Sequence, residues 1–273
     1  MPRWCSRPCD FAGVSGAGGS HGFNTSTAGF YARITQNWAA GLAFGYSHIW
    51  LSANGLQSDG TMDNYDFAFY SGLTLNRAYA RGALSYIGSN GRLSRALDLA
   101  GAGRAATGRP DADEVLGMVE TGYDAPLMAM LTVKPFAQLD AAQCWQGGFT
   151  ETGAGDFDLM VAGQGNNSAQ TTPGAALAEE FDLLQLGAPL SATVTAGWGH
   201  EFAETARPVT AAFAGAPGLP FSVDAAEVDR NTAVVSTSLA MTAGRAKILA
   251  RYDGQYGART HASAVTGGVS VSW

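Results

Sequence analysis

The chain has 273 residues, a net charge of −7, 46% apolar residues and only 14% charged ones. Soluble domains carry about 25% charge, and the basic residues include just two lysines, Lys134 and Lys247, so a lysine-studded, water-facing surface is excluded. The acidic balance excludes a protein that holds nucleic acid through a basic face, because such binding draws on neutralised phosphates, and recurrent apolar runs exclude a disordered chain.

From the N-terminus, residues 1–11 carry charges and prolines but no apolar core of the length a secretory signal needs. The chain is therefore expected either to stay in the cytosol or to be a fragment whose export signal lies upstream. Cys5, Cys9 and Cys144 make neither a disulfide framework nor a set of metal ligands and read as incidental thiols. Residues 3–13 and 25–36 are the first two strand candidates. The stretch 34–58 has no formal charge and is long enough for a membrane helix, yet Gln36, Asn37, Ser47, His48, Ser52, Asn54 and Gln57 interrupt it. Period two explains it better. Over 39–52, Leu42, Phe44, Tyr46 and Trp50 share one parity and Gly41, Ala43, Gly45 and Ser47 the other, which describes a strand with one greasy face.

The same alternation recurs over 62–75, where Tyr65, Phe67, Phe69 and Leu73 oppose Asn64, Asp66, Ala68 and Gly72, and further candidates follow at 78–93, 113–124, 129–150, 176–187, 191–203, 229–242, 245–257 and 261–273. These make about twelve strands. Their connections alternate between tight turns, as at Asn76 with Arg77 and Ala243 with Gly244, and longer loops at 53–61, 96–112, 152–174 and 204–228. In a soluble sandwich the parity opposite the apolar one would be rich in lysine, glutamate and threonine. Here it is glycine, alanine, serine and a few charges, which suits a crowded polar lumen, while aromatic residues near strand ends suit an interfacial girdle. The expected fold is all-β, a transmembrane up-and-down antiparallel β-barrel, with a soluble β-sandwich as the competing reading.

Several segments stand in order along the chain: Gly22-Phe23-Asn24; Asn37-Trp38-Ala39-Ala40-Gly41-Leu42-Ala43-Phe44-Gly45-Tyr46-Ser47; Asp63-Asn64-Tyr65 with Tyr70-Ser71-Gly72-Leu73; Val119-Glu120-Thr121-Gly122-Tyr123; Lys134-Pro135-Phe136-Ala137-Gln138-Leu139; Gly148-Phe149-Thr150-Glu151; Gly197-Trp198-Gly199-His200-Glu201-Phe202; and Tyr252-Asp253-Gly254-Gln255-Tyr256-Gly257 before a terminal aromatic. Together they resemble the translocator domain of bacterial autotransporters, the β-domain of type V secretion. The resemblance covers 22–273. It leaves 1–21 as a poorly matching N-terminal segment, a degenerate version of the family's first strand. It implies an outer-membrane barrel of a Gram-negative bacterium that anchors and translocates an N-terminal passenger absent from this chain. The implied partners are outer-membrane lipids, its own passenger or linker helix, and the barrel-assembly machinery, which would read the C-terminal signal at Trp273. A porin-like channel for small solutes is the alternative.

By parity, Arg33, Asp66, Arg81, Glu120, Lys134, Gln138, Asp140, Glu201, Lys247, Arg251 and Asp253 are expected to line the pore, since Arg or Lys facing lipid at midplane costs about 2–4 kcal/mol. Phe44, Tyr46, Tyr65, Phe67, Trp198, Ile248, Tyr252, Tyr256 and Val271 are expected to face lipid. Four scattered histidines, no nucleophile elbow at Ser47 and no phosphate loop in the glycine-rich runs give no catalytic, cofactor or metal site, so no enzyme is expected. Asn166 and Asn167 are expected in a solvated outer loop.

Overall fold

The computed structural model describes residues 19–53, 58–99, 102–128, 130–181, 189–224 and 227–272. Their strands are β1 (Gly19–Arg33), β2 (Trp38–Ala53), β3 (Ser58–Leu75), β4 (Ala78–Leu99), β5 (Ala102–Gly108), β6 (Asp111–Tyr123), β7 (Ala125–Pro126), β8 (Leu131–Gln146), β9 (Phe149–Thr150), β10 (Leu159–Val161), β11 (Gln164–Phe181), β12 (Leu190–Glu201), β13 (Pro208–Phe213), β14 (Phe221–Asp224), β15 (Asn231–Ala243), β16 (Ala246–Tyr256) and β17 (His261–Val271), with one 3₁₀ turn at Gly155–Phe157.

One antiparallel sheet runs β1-β2-β3-β4-β6-β8-β11-β12-β15-β16-β17, each long strand pairing with the next in the chain. Eleven of the twelve expected strands correspond to these, and the candidate at 3–13 lies outside the described residues. The sheet curls into part of a barrel, so that Leu116, Gln138, Thr172, Val234 and Gln255, from strands well separated in the sheet, line one cavity on its concave side. Eleven strands that reverse at every step leave β1 and β17 pointing the same way.

Alternation of side chains turns this sheet into two surfaces. Along β6, Ala112, Glu114, Leu116, Met118 and Glu120 are buried while Asp111, Asp113, Val119 and Thr121 are exposed. The concave side is crowded enough to require glycine. Tyr79 is directly paired with Gly122 and Tyr70 with Gly41, and a Cβ on Gly122 would fall 2.4 Å from the Tyr79 hydroxyl oxygen and one on Gly41 2.3 Å from the carbonyl oxygen of Phe30. At these two positions glycine gives an inward ring room to lie flat. At the tight turn between β3 and β4, Asn76 takes φ 55°, a left-handed conformation that asparagine tolerates.

The long connections differ from expectation. Residues 96–112 are not a loose loop: β4 continues to Leu99 and returns as β5 in register, Leu93 opposite Gly108. Asn166 and Asn167 are not in an outer loop either, since β11 begins at Gln164 and pairs them with Cys144 and Gln143. Both misreadings share a cause: these extensions are polar or small-residued on both faces and carry no alternating signal. The same strand β11 accommodates Pro173. It pairs with Ala137 of β8, but the ladder from β11 to β12 skips 172–173, where proline has no N–H to donate.

Residues 147–163 and 202–230 contribute a second sheet, ordered β14-β13-β10-β9. Phe213 packs on Phe157 and Phe221, ring centroids 6.4 and 5.5 Å apart.

Candidate functional site

The concave wall is the site the sheet builds. Among the expected pore-lining residues, Glu120, Gln138 and Glu201 are buried, Asp66, Lys134, Asp140, Arg251 and Asp253 are half-buried, and Arg33, Arg81 and Lys247 are exposed. Strand register brings many of them together. Arg81 and Glu120 are paired residues of β4 and β6, and the Arg81 guanidinium donates to Glu120 Oε1 at 2.5 and 3.0 Å while the Tyr79 hydroxyl donates to the same oxygen at 2.9 Å. Gln138 Nε2 donates to both carboxylate oxygens of Asp140, and Arg251 makes a two-point ion pair with Asp253 at 2.7 Å. Both pairs are two residues apart on one strand, where period two puts side chains on one face. Ser85 donates to Asp66. Lys134 reaches Asp124 at 3.1 Å, at the short-turn end.

Glu201 does something different. Its carboxylate accepts from the Ser168 hydroxyl and from the backbone N–H groups of Ala169 and Ala203, stitching β11 to the start of the connection after β12.

Parity reasoning passed over several wall residues. Asn64 donates to Ser47 and Gln255 to Thr232, both within the buried wall. Met62, Ile87, Leu116, Met118 and Cys144 are also buried on the concave side, so the wall is not uniformly polar. Strand parity contained this signal, since Ala83, Ser85, Ile87 and Ser89 oppose Leu84 and Tyr86 in β4. Cys144 is disulfide-bonded, which corrects the reading of this residue as an incidental thiol; Cys5 and Cys9 lie outside the described residues.

On the convex side, Phe44, Tyr46, Tyr65, Phe67, Trp198, Ile248, Tyr256 and Val271 are exposed and Tyr252 is half-buried. Phe44 lies across from Phe67 and Tyr46 across from Tyr65, at centroid distances of 5.0 and 5.5 Å. Tyr46 and Tyr86 turn their hydroxyls toward the end bearing the long connections, donating to Asp63 and Asp113. Such a band, apolar below and hydrogen-bonded above, is the arrangement amphipathic rings take at a lipid boundary. Trp273 lies outside the described residues.

The long-connection end is tied down by ion pairs. Arg95 of β4 binds Glu151 at 2.5 Å and the carbonyl of Phe157 at 3.0 Å, and Glu151 also accepts from the N–H of Leu159. Arg104 of β5 reaches the carbonyl of Ala154, and Thr107 bridges Thr152. Asp229 receives the N–H groups of Arg259 and Thr260, fastening the connection before β15 to the one after β16. Among the described residues, no group of three His, Cys, Asp or Glu side chains is arranged to hold a metal.

Comparison with known proteins gives this architecture a family. No curated protein matches the sequence. Among solved structures, the chain is similar to the translocator domain of autotransporter NalP from Neisseria meningitidis (TM-score 0.69, 18% identity, 93% of this chain and 81% of that one). It is also similar to the β-domain of the Bordetella autotransporter Brka (0.61, 13%, 92% and 92%) and to the transport unit of autotransporter AIDA-I from Escherichia coli (0.56, 16%, 93% and 83%). These likenesses show the fold. The family model of the autotransporter β-domain matches residues 11–253. The chain therefore belongs to the autotransporter β-domain family, outer-membrane-type β-barrels that translocate a linked passenger domain.

Proposed function

We propose that this chain resides in the outer membrane of a Gram-negative bacterium, with its convex face in lipid and its concave wall as the hydrated route and anchor for its own passenger or linker helix. The observation that carries this is the division of the sheet. Rings and aliphatic side chains occupy the convex parity, whereas Glu120, Gln138, Asp140, Glu201, Arg251 and Asp253 occupy the other, with Glu120 bonded to Arg81, Gln138 to Asp140, Arg251 to Asp253 and Glu201 to Ser168. Backbone polar groups in hydrocarbon must be paired within the structure, which a closed barrel achieves. The barrel-assembly machinery is the partner expected at the C-terminal stretch ending in Trp273. The chain works as a transport unit, with no reaction of its own and no cofactor.

The test is export of an attached cargo. A signal peptide and a small epitope-tagged reporter fused ahead of the chain should become accessible to protease added to intact cells. A reporter that stays periplasmic while the barrel reaches the membrane would instead favour a porin-like channel.

A further inference from the structure

The end of the sheet that bears the tight turns carries its positive charge on one arc. Two connections there are two residues long, Asn76-Arg77 between β3 and β4 and Gly244-Arg245 between β15 and β16. In each, the first residue is left-handed, φ 55° at Asn76 and 58° at Gly244, and the second is an exposed arginine. Arg33, the last residue of β1, and Lys247, the second of β16, are exposed at the same end. Across the ladder Arg33 faces Ala39, and Lys247 faces Thr242 and Ser270, side chains that supply no charge. Among the described residues none of these four cations makes an ion pair, whereas Arg81 and Lys134 are taken by Glu120 and Asp124. The four are also grouped. Arg33 and Arg77 belong to the first strands of the eleven-strand path and Arg245 and Lys247 to the last ones, and curling into a barrel brings those two edges round to one side. Glu179 and Glu180, near the end of β11, stand outside this arc.

We propose that the arc formed by Arg33, Arg77, Arg245 and Lys247 is a docking surface for the headgroups of anionic phospholipids in the leaflet that faces the periplasm. This rests on reading the convex face as lipid-facing. Tight turns mark the periplasmic end of such a barrel. Beside the cations the surface is apolar, with Ile34, Trp38, Leu75 and Ile248 exposed. A long basic side chain at that boundary lays its methylenes along apolar surface and keeps its charge in the headgroup layer. There a guanidinium offers paired donors to phosphate oxygens, and each basic side chain near an anionic lipid surface strengthens association about fivefold.

The other rim has the opposite character. Toward the end bearing the long connections, the convex parity of β3 and β6 carries Asp59, Asp111 and Asp113, which are exposed, and Asp63, which is half-buried. These carboxylates repel phosphate. Discrimination between charged and zwitterionic headgroups therefore belongs to the tight-turn end alone.

Lipid retention by the full chain tests this. The protein is immobilised in detergent, equilibrated with equimolar phosphatidylglycerol and phosphatidylcholine and washed, and the lipid that stays bound is extracted and quantified. Phosphatidylglycerol should be retained over phosphatidylcholine by about fivefold or more, and the preference should shrink as salt is raised. The combined variant R33Q/R77Q/R245Q/K247Q should retain the two lipids equally. R92Q/R109Q, which removes two exposed cations near the long connections, should keep the preference of the unmodified chain. If the four-site variant does not fold, R77Q/R245Q, confined to the two turns, carries the test and should lower the preference about twofold or more. Equal retention by the unmodified chain, a preference untouched by the rim substitutions, or an equal loss in R92Q/R109Q would overturn the proposal. So would a rim variant whose lipid preference is intact but which no longer reaches the outer membrane, an outcome that would give the arc to the assembly machinery. Retention of neither lipid by any form would instead contradict the lipid-facing reading of the convex side.

Discussion

At Glu120, three donors from two neighbouring residues converge on a single buried carboxylate oxygen. The Arg81 side chain is about half exposed (55%) and that of Glu120 only 6%, so water screens the cation more than the acid. Hydrogen bonds to charged groups contribute about 1.5–3 kcal/mol each when shielded, and exposure at Arg81 brings the expected loss for Glu120→Ala to about 1–2 kcal/mol. The variant should unfold at lower denaturant in detergent micelles while keeping its strand content by circular dichroism. An unshifted midpoint would mean that the three-way contact contributes nothing. At this scale the sequence was legible where parity and charge coincided, as for Arg81 and Glu120. Tyr79 was missed because a tyrosine on the inward parity reads as a misplaced girdle residue until the glycine opposite it, Gly122, is seen to make room for its ring.

The elements were legible where one face is greasy and opaque where neither is. At about 3.3 Å per residue and a tilt of about 40°, the 22 residues of β4 rise about 55 Å, far more than an apolar band about 25 Å tall. Beyond that band both faces of a strand meet water, so β5 and the first half of β11 lack alternation and read as loops. What holds them up is polar. Arg95→Ala would strand the carboxylate of Glu151, only 8% exposed and left with the N–H of Leu159, at a cost of about 2 kcal/mol. Limited proteolysis should then cut within 149–224 several-fold faster, with the long strands resistant as before; equal cutting rates would show that the second sheet stands without this ion pair.

Acid should loosen the same end elsewhere. Partial burial would raise the Asp229 carboxyl, but the N–H groups of Arg259 and Thr260, the Thr260 hydroxyl and the Arg259 charge outweigh it and hold it below the ordinary 3.8. A carboxyl with a depressed folded-state pKa contributes stability that is fully present above its unfolded value and is lost as pH falls through the folded one. Exchange protection at the Arg259 and Thr260 amides should therefore be constant at neutral pH and fall on acidification below 3.8, a step that Asp229→Asn should abolish. Protection that is flat through that range would contradict the assigned role.

For the whole molecule, two choices made at each residue, one face oily and one face small or polar, repeat over eleven strands and produce a sheet that cannot rest in water on its convex side. Low charge, scarce lysine and abundant glycine are consequences of that division: few residues face bulk water, and the inner face must be thin. The buried row at Ile87, Glu114 and Cys144 was not legible as a row, because the register that sets these three residues side by side across β4, β6 and β8 leaves no period in the sequence.

The division itself is tested most directly by nitroxide labels placed singly at positions 248, 250 and 251 of β16 in the membrane-inserted protein. Ile248 and Ala250 are exposed on the convex parity, and Arg251 is turned inward beside Asp253. Labels at 248 and 250 should relax with dissolved oxygen and be shielded from a water-soluble paramagnetic reagent, and the label at 251 should show the opposite preference. Aqueous access at 248 and 250 together with lipid access at 251 would reverse the register and contradict the account.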